Sequence, residues 1–182
     1  MQKPSGRFVL RMEPQLHGTL RDSARRAGIS LNEFCVQKLA EPSLPTNSAA
    51  ELMARAAAIC GSALEAVAVF GSWARGTAAL SSDVDVLIVA SQELAVTRGL
   101  YATWDEGQPL EWEGRRLEPH FVHLPESDAR ISGLWAELAL DAIVVFDREF
   151  RLSRHLVAVR HAIVNGRVVR RTTGGHAYWV AA

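Results

Sequence analysis

Two short motifs in the middle of the chain combine residue types that bind phosphates and metal ions. Gly71-Ser72 follows the apolar run AVAVF, and a glycine there lets the backbone turn tightly and approach a ligand. Asp83 and Asp85 stand one residue apart, immediately before the apolar run VLIV. Side chains two residues apart in a strand point to the same face, so both carboxylates can reach one divalent cation. Their oxygen atoms favour Mg²⁺ or Mn²⁺ as that cation.

The charges of the two aspartates support this interpretation. Like charges at such a spacing repel each other unless a cation lies between them. A cation bound to nucleotide phosphates would supply that charge. The segment from Trp73 to Gly76 is predicted to begin a helix, whose amides, with the Ser72 hydroxyl, would face an anion. The motifs therefore predict a site for a metal–nucleotide complex.

The pattern Gly-Ser-x-Ala-Arg-Gly followed by Ser-Asp-x-Asp resembles the minimal nucleotidyltransferase (MNT-like) family of the polymerase-beta superfold. The resemblance covers residues 50 to about 160. It implies that Gly71 and Ser72 bind the triphosphate of an NTP, with ATP expected, and that Arg75 supports the motif or the phosphates. It also implies that the two aspartates are catalytic and hold metal ions, which clamp the attacking and leaving oxygens during displacement at the alpha phosphate.

The family places a further acid on a later strand, and two residues of the predicted strand RLEPHFVHL are candidates for that place. Glu118 is the expected third metal ligand and catalytic carboxylate, although Pro119 beside it favours an edge or a strand start. His120 shares the same face and is either a ligand in place of the acid or a structural histidine. If no carboxylate occupies this place, catalysis is expected to be impaired. Ser82 either orients the metal strand or is an ordinary turn serine.

Charge and composition divide the chain into two modules. Residues 1–41 carry a net charge of about +3 and residues 42–182 carry about −3, although the whole chain is neutral. The segment EPSLPTNSAA, with two prolines and two serines, has the composition of a linker. We therefore expect an N-terminal module over 1–41, a linker over 42–50 and a main domain over 51–182.

The N-terminal module has the pattern strand, helix, helix. Apolar and polar side chains alternate over RFVLRM, residues 7–12, which predicts a half-buried strand. Pro14 opens a first helix, and Ser30 begins the capping box Ser-Leu-Asn-Glu of a second helix. So few residues cannot close a core alone, whereas two copies could do so by pairing their strands in an antiparallel ribbon.

The segment GRFVLRMEPQLHGTLRDSARRAGISLNEFCVQKLA resembles the ribbon-helix-helix family of Arc-like and HicB-like repressors and antitoxins. In that family the paired ribbon enters the DNA major groove. The resemblance implies that Arg7, Val9 and Arg11 face the bases. It also implies that the amides near Ser30 hold a DNA phosphate at the positive end of the second helix. The alternative is a ribbon that only dimerises.

Composition limits the location of the protein. The sequence has no run approaching eighteen apolar residues, so no membrane span is expected, and the apolar run at the start is too short for a signal peptide. Cys35 and Cys60 lack metal-ligand spacing and are expected to be buried free thiols, as in a cytoplasmic protein.

The predicted fold class is α/β (α+β): a small mixed sheet with the flanking helices of the nucleotidyltransferase superfold, followed by a helix over 149–164 and a hairpin with Gly174-Gly175 at its turn. The expected function is Mg²⁺-dependent transfer of a nucleoside monophosphate from an NTP to a protein, RNA or small molecule, in a toxin–antitoxin system with DNA-binding autoregulation. The alternative is a DNA-binding regulator or antitoxin whose transferase fold is inactive or senses a ligand. Expected partners are a nucleotide, DNA, a second copy of the chain and a toxin.

Overall fold

The structure is a computed structural model of the 182-residue chain. It describes residue 9 and residues 11–27, 29–39, 46–79, 81–126, 129–173 and 176–181. The chain divides into two compact units, Met1–Ser43 and Leu44–Ala182.

The first unit contains the two predicted helices, α1 (Pro14–Ala27) and α2 (Leu31–Leu39). Proline suits the first position of α1 because its missing N–H needs no partner there. The Ser30 hydroxyl accepts a hydrogen bond from the Glu33 amide at 3.1 Å, which is one half of the predicted capping box. Local sequence signals thus define both helices of this unit.

The predicted strand over residues 7–12 remains a prediction. Arg7, Phe8 and Leu10 lie outside the described residues, and Val9, Arg11 and Met12 have no strand assignment. A ribbon strand is defined by hydrogen bonds to a second strand, and the ribbon expected here forms only between two copies of the chain.

The second unit begins with α3 (Thr46–Cys60). The linker expected over 42–50 therefore overlaps this helix from Thr46 onward. Threonine, asparagine and serine are favoured at and near helix N-termini, so the composition that suggested a linker also suits a helix start.

The predicted small mixed sheet is confirmed. It has five strands in the order β3-β4-β2-β1-β5. β2 runs parallel to β4, whereas the β1–β2, β1–β5 and β3–β4 pairs are antiparallel. The strands are β1 (Leu64–Phe70), β2 (Val84–Ala90), β3 (Glu111–Trp112), β4 (Arg115–Val122) and β5 (Ile143–Asp147). A helix of one turn, α4 (Gly71–Ala74), follows β1, and α5 (Arg98–Asp105) precedes β3.

Helices cover both faces of this sheet, which is why β1 is buried along its whole length. On one face Leu52 and Trp104, from α3 and α5, pack against Val86 and its neighbours. On the other face α6 (Gly133–Asp141) and α7 (Arg151–Val164) pack against Leu87 and Val89. Because alternate β2 residues share a face, Asp85 lies on the α6 and α7 side of the sheet.

The end of the chain forms the predicted hairpin of β6 (Val168–Thr173) and β7 (His176–Ala181), which pair antiparallel. The predicted turn residues Gly174 and Gly175 lie outside the described residues. The helix predicted from 149 begins at Arg151, after a 3-10 turn over Arg148–Phe150. None of the helices in the described part of the chain has the length and apolarity needed to cross a lipid bilayer.

Candidate nucleotide and metal site

Antiparallel pairing of β1 and β2 brings the two motifs together. Phe70, the last residue of β1, is the register partner of Asp85 on β2. Gly71-Ser72 continues directly from Phe70, and Asp83 stands exposed one residue before β2 begins. Residues that are more than ten positions apart in the sequence therefore meet at one end of the two central strands.

Gly71 and Asp85 are in direct contact. Gly71 has a φ angle of +78°, a backbone conformation that side-chain-bearing residues rarely adopt. A Cβ atom placed at this position would collide with the Asp85 carboxylate and lie 3.2 Å from its Cγ atom. The glycine is thus required both by the turn and by the carboxylate that occupies the space of a side chain.

The helix expected to begin at Trp73 instead begins at Gly71 and ends at Ala74. Gly76, with a φ angle of +71°, stops it. The Gly76 amide donates to the Trp73 carbonyl and the Thr77 amide donates to the Ser72 carbonyl, both at 2.9 Å. These two bonds are the Schellman arrangement that ends helices at a left-handed glycine. The early stop leaves a tight loop, rather than a long helix, beside the aspartates.

Two residues of the motif region hold this loop in place. The Arg75 guanidinium makes an ion pair with the Asp141 carboxylate of α6 at 2.8 Å. The Ser82 hydroxyl accepts a hydrogen bond from the Ala79 amide at 3.1 Å, and the Ser82 amide donates to the Ala79 carbonyl at 3.0 Å. Arg75 thus ties the loop to α6, and its role toward the phosphates stays a prediction. Ser82 makes the contacts of a turn serine.

Glu118 lies next to Asp85 in the sheet, but its side chain has another partner. The two residues are register partners in the parallel β2–β4 pair. The Glu118 carboxylate nevertheless makes an ion pair with Arg116 Nε at 3.2 Å. Among the described residues, no three His, Cys, Asp or Glu side chains are grouped closely enough to hold a metal ion. Glu118 thus lies beside Asp85 in the sheet with its carboxylate paired to Arg116, and its role as the third metal ligand stays a prediction.

His120 occupies the place beside Asp85 instead. Its Nε2 atom lies 3.2 Å from Asp85 Oδ1. Its ring packs edge-on against Phe70, with the ring centroids 5.1 Å apart. The two side chains of the pair are partly exposed, His120 at 45% and Asp85 at 36%, so a ligand from solvent can reach both.

Phe70 and Asp141 contact site residues, although neither was predicted to belong to the site. The sequence did contain a signal for the position of Phe70, because this residue is the last apolar residue before Gly71 and ends the predicted buried strand. The sequence contained no such signal for Asp141. This residue ends a helix 66 positions after Arg75, and it contacts Arg75 only because α6 packs beside the motif.

A second polar cluster lies at the other end of β1. A β-bulge between Leu64 and Ala66 interrupts the β1–β2 register at Glu65, which is 6% exposed and makes an ion pair with Arg151 of α7. Bulges re-aim side chains, and this one turns Glu65 toward the α7 side. Glu65 and Arg151 line a cavity of about 280 Å³ with the segment after β2, in which the buried Ser91 hydroxyl has no hydrogen-bond partner among the described residues.

Two parts of the chain match known families. Residues 59–131 match the nucleotidyltransferase domain family, in agreement with the central sheet and the Gly-Ser and Asp-x-Asp motifs. Residues 2–39 match the HicB family. The chain thus contains a segment similar to the HicB family, followed by a segment similar to the nucleotidyltransferase domain family.

Among solved structures, the chain is similar to the crystal structure of a toxin-antitoxin with AMP-PNP. The identity is 15% and the TM-score 0.40, over 65% of this chain and 86% of that one. It is also similar to a mutant of the toxin-antitoxin MntA-HpeT, with 13% identity and a TM-score of 0.39, over 61% of this chain and 83% of the other. A comparison with curated proteins finds no match.

Proposed function

We propose that the main domain is a metal-dependent nucleotidyltransferase that transfers a nucleoside monophosphate from an NTP to a protein, RNA or small-molecule acceptor. The observation that carries this proposal is the contact of Gly71 with Asp85, which joins a phosphate-binding turn to a metal-binding motif. The match of residues 59–131 to the nucleotidyltransferase family supports the same reaction. ATP is the expected NTP.

The residues present fit a divalent cation. Asp83 and Asp85 supply carboxylate oxygens, the donors that Mg²⁺ and Mn²⁺ prefer. The Asp85 carboxylate occupies the space that a side chain at position 71 would fill, so the absence of a side chain at Gly71 leaves room for this carboxylate. When bound with an NTP, the cation would offset phosphate charge and stabilise the attacking and leaving oxygens. Glu118 stays the proposed third carboxylate of this set, in competition with His120.

The protein groups around the turn bind and orient the nucleotide. The Gly71 and Ser72 amides lie at the start of a helical turn, where backbone N–H groups attract anions. The Ser72 carbonyl is held by the Thr77 amide at 2.9 Å, which fixes the loop before a ligand arrives. Arg75, partly exposed and paired with Asp141, keeps this loop against α6.

Asp83→Asn combined with Asp85→Asn tests this function. The double variant should lose metal-dependent NTP binding, measured by calorimetric titration of the full chain with ATP and Mg²⁺, while circular dichroism shows an unchanged fold. Glu51→Gln combined with Glu106→Gln is the control, because it removes the same charge from exposed positions outside the motifs. Equal affinity in the wild type and the aspartate variant would refute the assignment.

A second function, DNA binding by the N-terminal module, is favoured by the match of residues 2–39 to the HicB family. We propose that two copies of residues 1–41 dimerise as a ribbon-helix-helix. Arg7, Val9 and Arg11 would then face the DNA bases, and the amides after Ser30 would hold a phosphate. The protein would act in the cytoplasm within a toxin–antitoxin system, with a toxin as partner and binding of its own promoter.

Gel-shift assays on the promoter of the protein's own gene test this module. Binding should fall with salt, with a log–log slope of about −0.9 for each neutralised phosphate. Arg11→Ala should cost about 1–3 kcal/mol if the side chain bonds a guanine. Arg25→Ala is the control, because that arginine is exposed and paired with Asp22 on α1. A dimer without salt-sensitive DNA binding would leave the module as a dimerisation element.

The enzyme and the ligand-sensor alternatives for the main domain can be distinguished by assays of the wild-type protein. The wild-type protein could bind a metal–NTP complex, and also bind DNA, without transferring nucleotide to any protein, RNA or small-molecule acceptor. In that case the main domain is a ligand sensor attached to a regulator. Turnover that disappears in the double aspartate variant would establish the enzyme.

A further inference from the structure

We propose that the outer face of the C-terminal hairpin is a docking surface for single-stranded RNA. The inference goes beyond the proposed function, because it assigns a second ligand to a surface outside the nucleotide site. Residues 148–182 contain seven arginines, no lysine and one acidic side chain, a net charge of about +6. Residues 42–147 contain six arginines and fifteen acidic side chains, a net charge of about −9. Positive charge is thus concentrated at the end of the chain that forms α7 and the hairpin.

The hairpin has two different faces. On the inner face Val168 is buried in a small cluster with residues of α6 and α7, and Trp179 packs against that cluster. Trp179 Nε1 also donates a hydrogen bond to the Glu137 carboxylate of α6 at 2.8 Å. Because side chains alternate along a strand, Arg171 and Tyr178 lie on the opposite, outer face, and the strand register pairs them directly. Both residues are exposed.

The outer face combines the two kinds of side chain that bind a single nucleic-acid strand. Bases stack on aromatic rings, and arginine binds the phosphates between them. Tyr178 is 44% exposed, and its hydroxyl accepts a hydrogen bond from the Thr173 hydroxyl at 3.4 Å, which ties the ring to the hairpin. Arg167, exposed just before β6, supplies another cation. In a duplex the bases stack on one another, so this face favours unpaired bases.

The helix α6 connects this hairpin with the candidate nucleotide site. Glu137 on α6 makes an ion pair with Arg170 of β6 at 3.3 Å. Asp141, four residues further along α6, makes the ion pair with Arg75 of the loop beside the aspartates. Residues four apart lie on the same side of a helix, about 6 Å from each other. The hairpin and the loop therefore contact neighbouring positions of one helix, and RNA bound to the hairpin would lie beside the nucleotide site.

The test measures the fluorescence anisotropy of a labelled, unstructured RNA of about twelve nucleotides, titrated with the full-length protein in EDTA and without NTP. The wild type should bind this RNA. Tyr178→Ala should weaken binding by about tenfold, because the stacking of one base is lost. Tyr178→Phe keeps the ring and should bind like the wild type.

The salt dependence distinguishes the stacking residue from the phosphate-binding residue. Arg171→Ala should lower the log–log slope by about 0.7, the contribution of one phosphate contact in a single strand. Tyr178→Ala should leave the slope unchanged. Arg98→Ala is the control, because it removes the same charge from an exposed position on α5, and it should change neither affinity nor slope. Circular dichroism checks the fold of each variant.

A wild type that does not bind the RNA would overturn the inference without any variant. Equal affinity for the same RNA annealed to its complement would overturn the stacking role, and tighter binding of the same sequence as single-stranded DNA would overturn RNA as the ligand. RNA containing 4-thiouridine should crosslink to residues 167–180 on irradiation. Crosslinks confined to residues 1–41 would assign the binding to the N-terminal module and also overturn the inference.

The result is independent of the proposed function, because the assay contains neither free divalent metal nor NTP. The double variant Asp83→Asn with Asp85→Asn should bind the RNA like the wild type. If RNA does not bind but metal-dependent ATP binding is lost in that variant, the inference fails and the nucleotidyltransferase assignment stands. If RNA binds as expected but the variant keeps its affinity for metal and ATP, the proposed function fails and the docking surface stands.

Discussion

Gly71→Ala tests the contact on which the candidate site depends. Gly71 has a φ angle of +78°, where a residue with a side chain costs roughly 1–2 kcal/mol. The added Cβ would also collide with the Asp85 carboxylate, and overpacking of this kind costs about 1–3 kcal/mol. We therefore expect the substitution to lower the free energy of unfolding by about 2–5 kcal/mol.

Gly76→Ala is the matched control. Gly76 has a φ angle of +71°, and no described atom beyond its own chain neighbours lies within 4 Å of the position of its Cβ. This variant should carry only the backbone cost of about 1–2 kcal/mol. The difference between the two variants then measures the collision with Asp85.

Asp85→Ala completes the experiment. In that background the atom left near the new side chain at position 71 is the Cβ of residue 85, at 3.5 Å, an ordinary van der Waals contact. The cost of Gly71→Ala should therefore fall to that of Gly76→Ala. Urea unfolding, followed by circular dichroism, provides the five free energies of unfolding: those of the wild type, the three single variants and the Gly71→Ala/Asp85→Ala double variant. Equal costs of Gly71→Ala with and without the Asp85 carboxylate would refute the contact.

Three further predictions concern the elements around the site. Arg75→Ala and Asp141→Ala should show a coupling of about 0.5–1 kcal/mol in a double-mutant cycle, because the pair is only partly buried; additive effects would contradict the ion pair. Arg151→Met should cost about 2–3 kcal/mol by leaving the buried Glu65 carboxylate unpaired, and Glu65→Leu in the same protein should recover most of that loss in thermal unfolding. Burial lowers the pKa of His155 from its ordinary value of 6.5, so the unfolded chain takes up the proton first and stability should fall as the pH drops below about 6.5. The fall should be at most about 1.4 kcal/mol per pH unit and absent from His155→Gln, and identical pH profiles for the two proteins would contradict it.

The elements of the main domain could be predicted largely from local pattern. AVAVF and VLIV are continuous apolar runs, and strands covered by helices on both faces require such runs. The boundaries were less predictable. Thr46 already lies in α3, and α4 ends at Ala74, because the left-handed turn at Gly76 stopped a helix that the pattern alone would continue.

The sequence also predicted which motifs belong to one site. The match to the nucleotidyltransferase family followed from residue types at fixed spacing, and the hairpin of β1 and β2 needs only local pairing to bring Gly71 near Asp85. The contact itself, with the carboxylate in the space of a missing side chain, depends on the twist and register of the two strands and could not be deduced from spacing.

Which residue of β4 contacts Asp85 was decided only by the tertiary structure. Glu118 and His120 share a face by strand alternation, so the sequence treats them alike. Arg116 draws Glu118 into an ion pair, while Phe70, from a different strand, holds the His120 ring beside Asp85. Alternation along a strand is a local property of the backbone, but the direction of a side chain depends on partners that other strands supply, and those partners meet only when the sheet has formed.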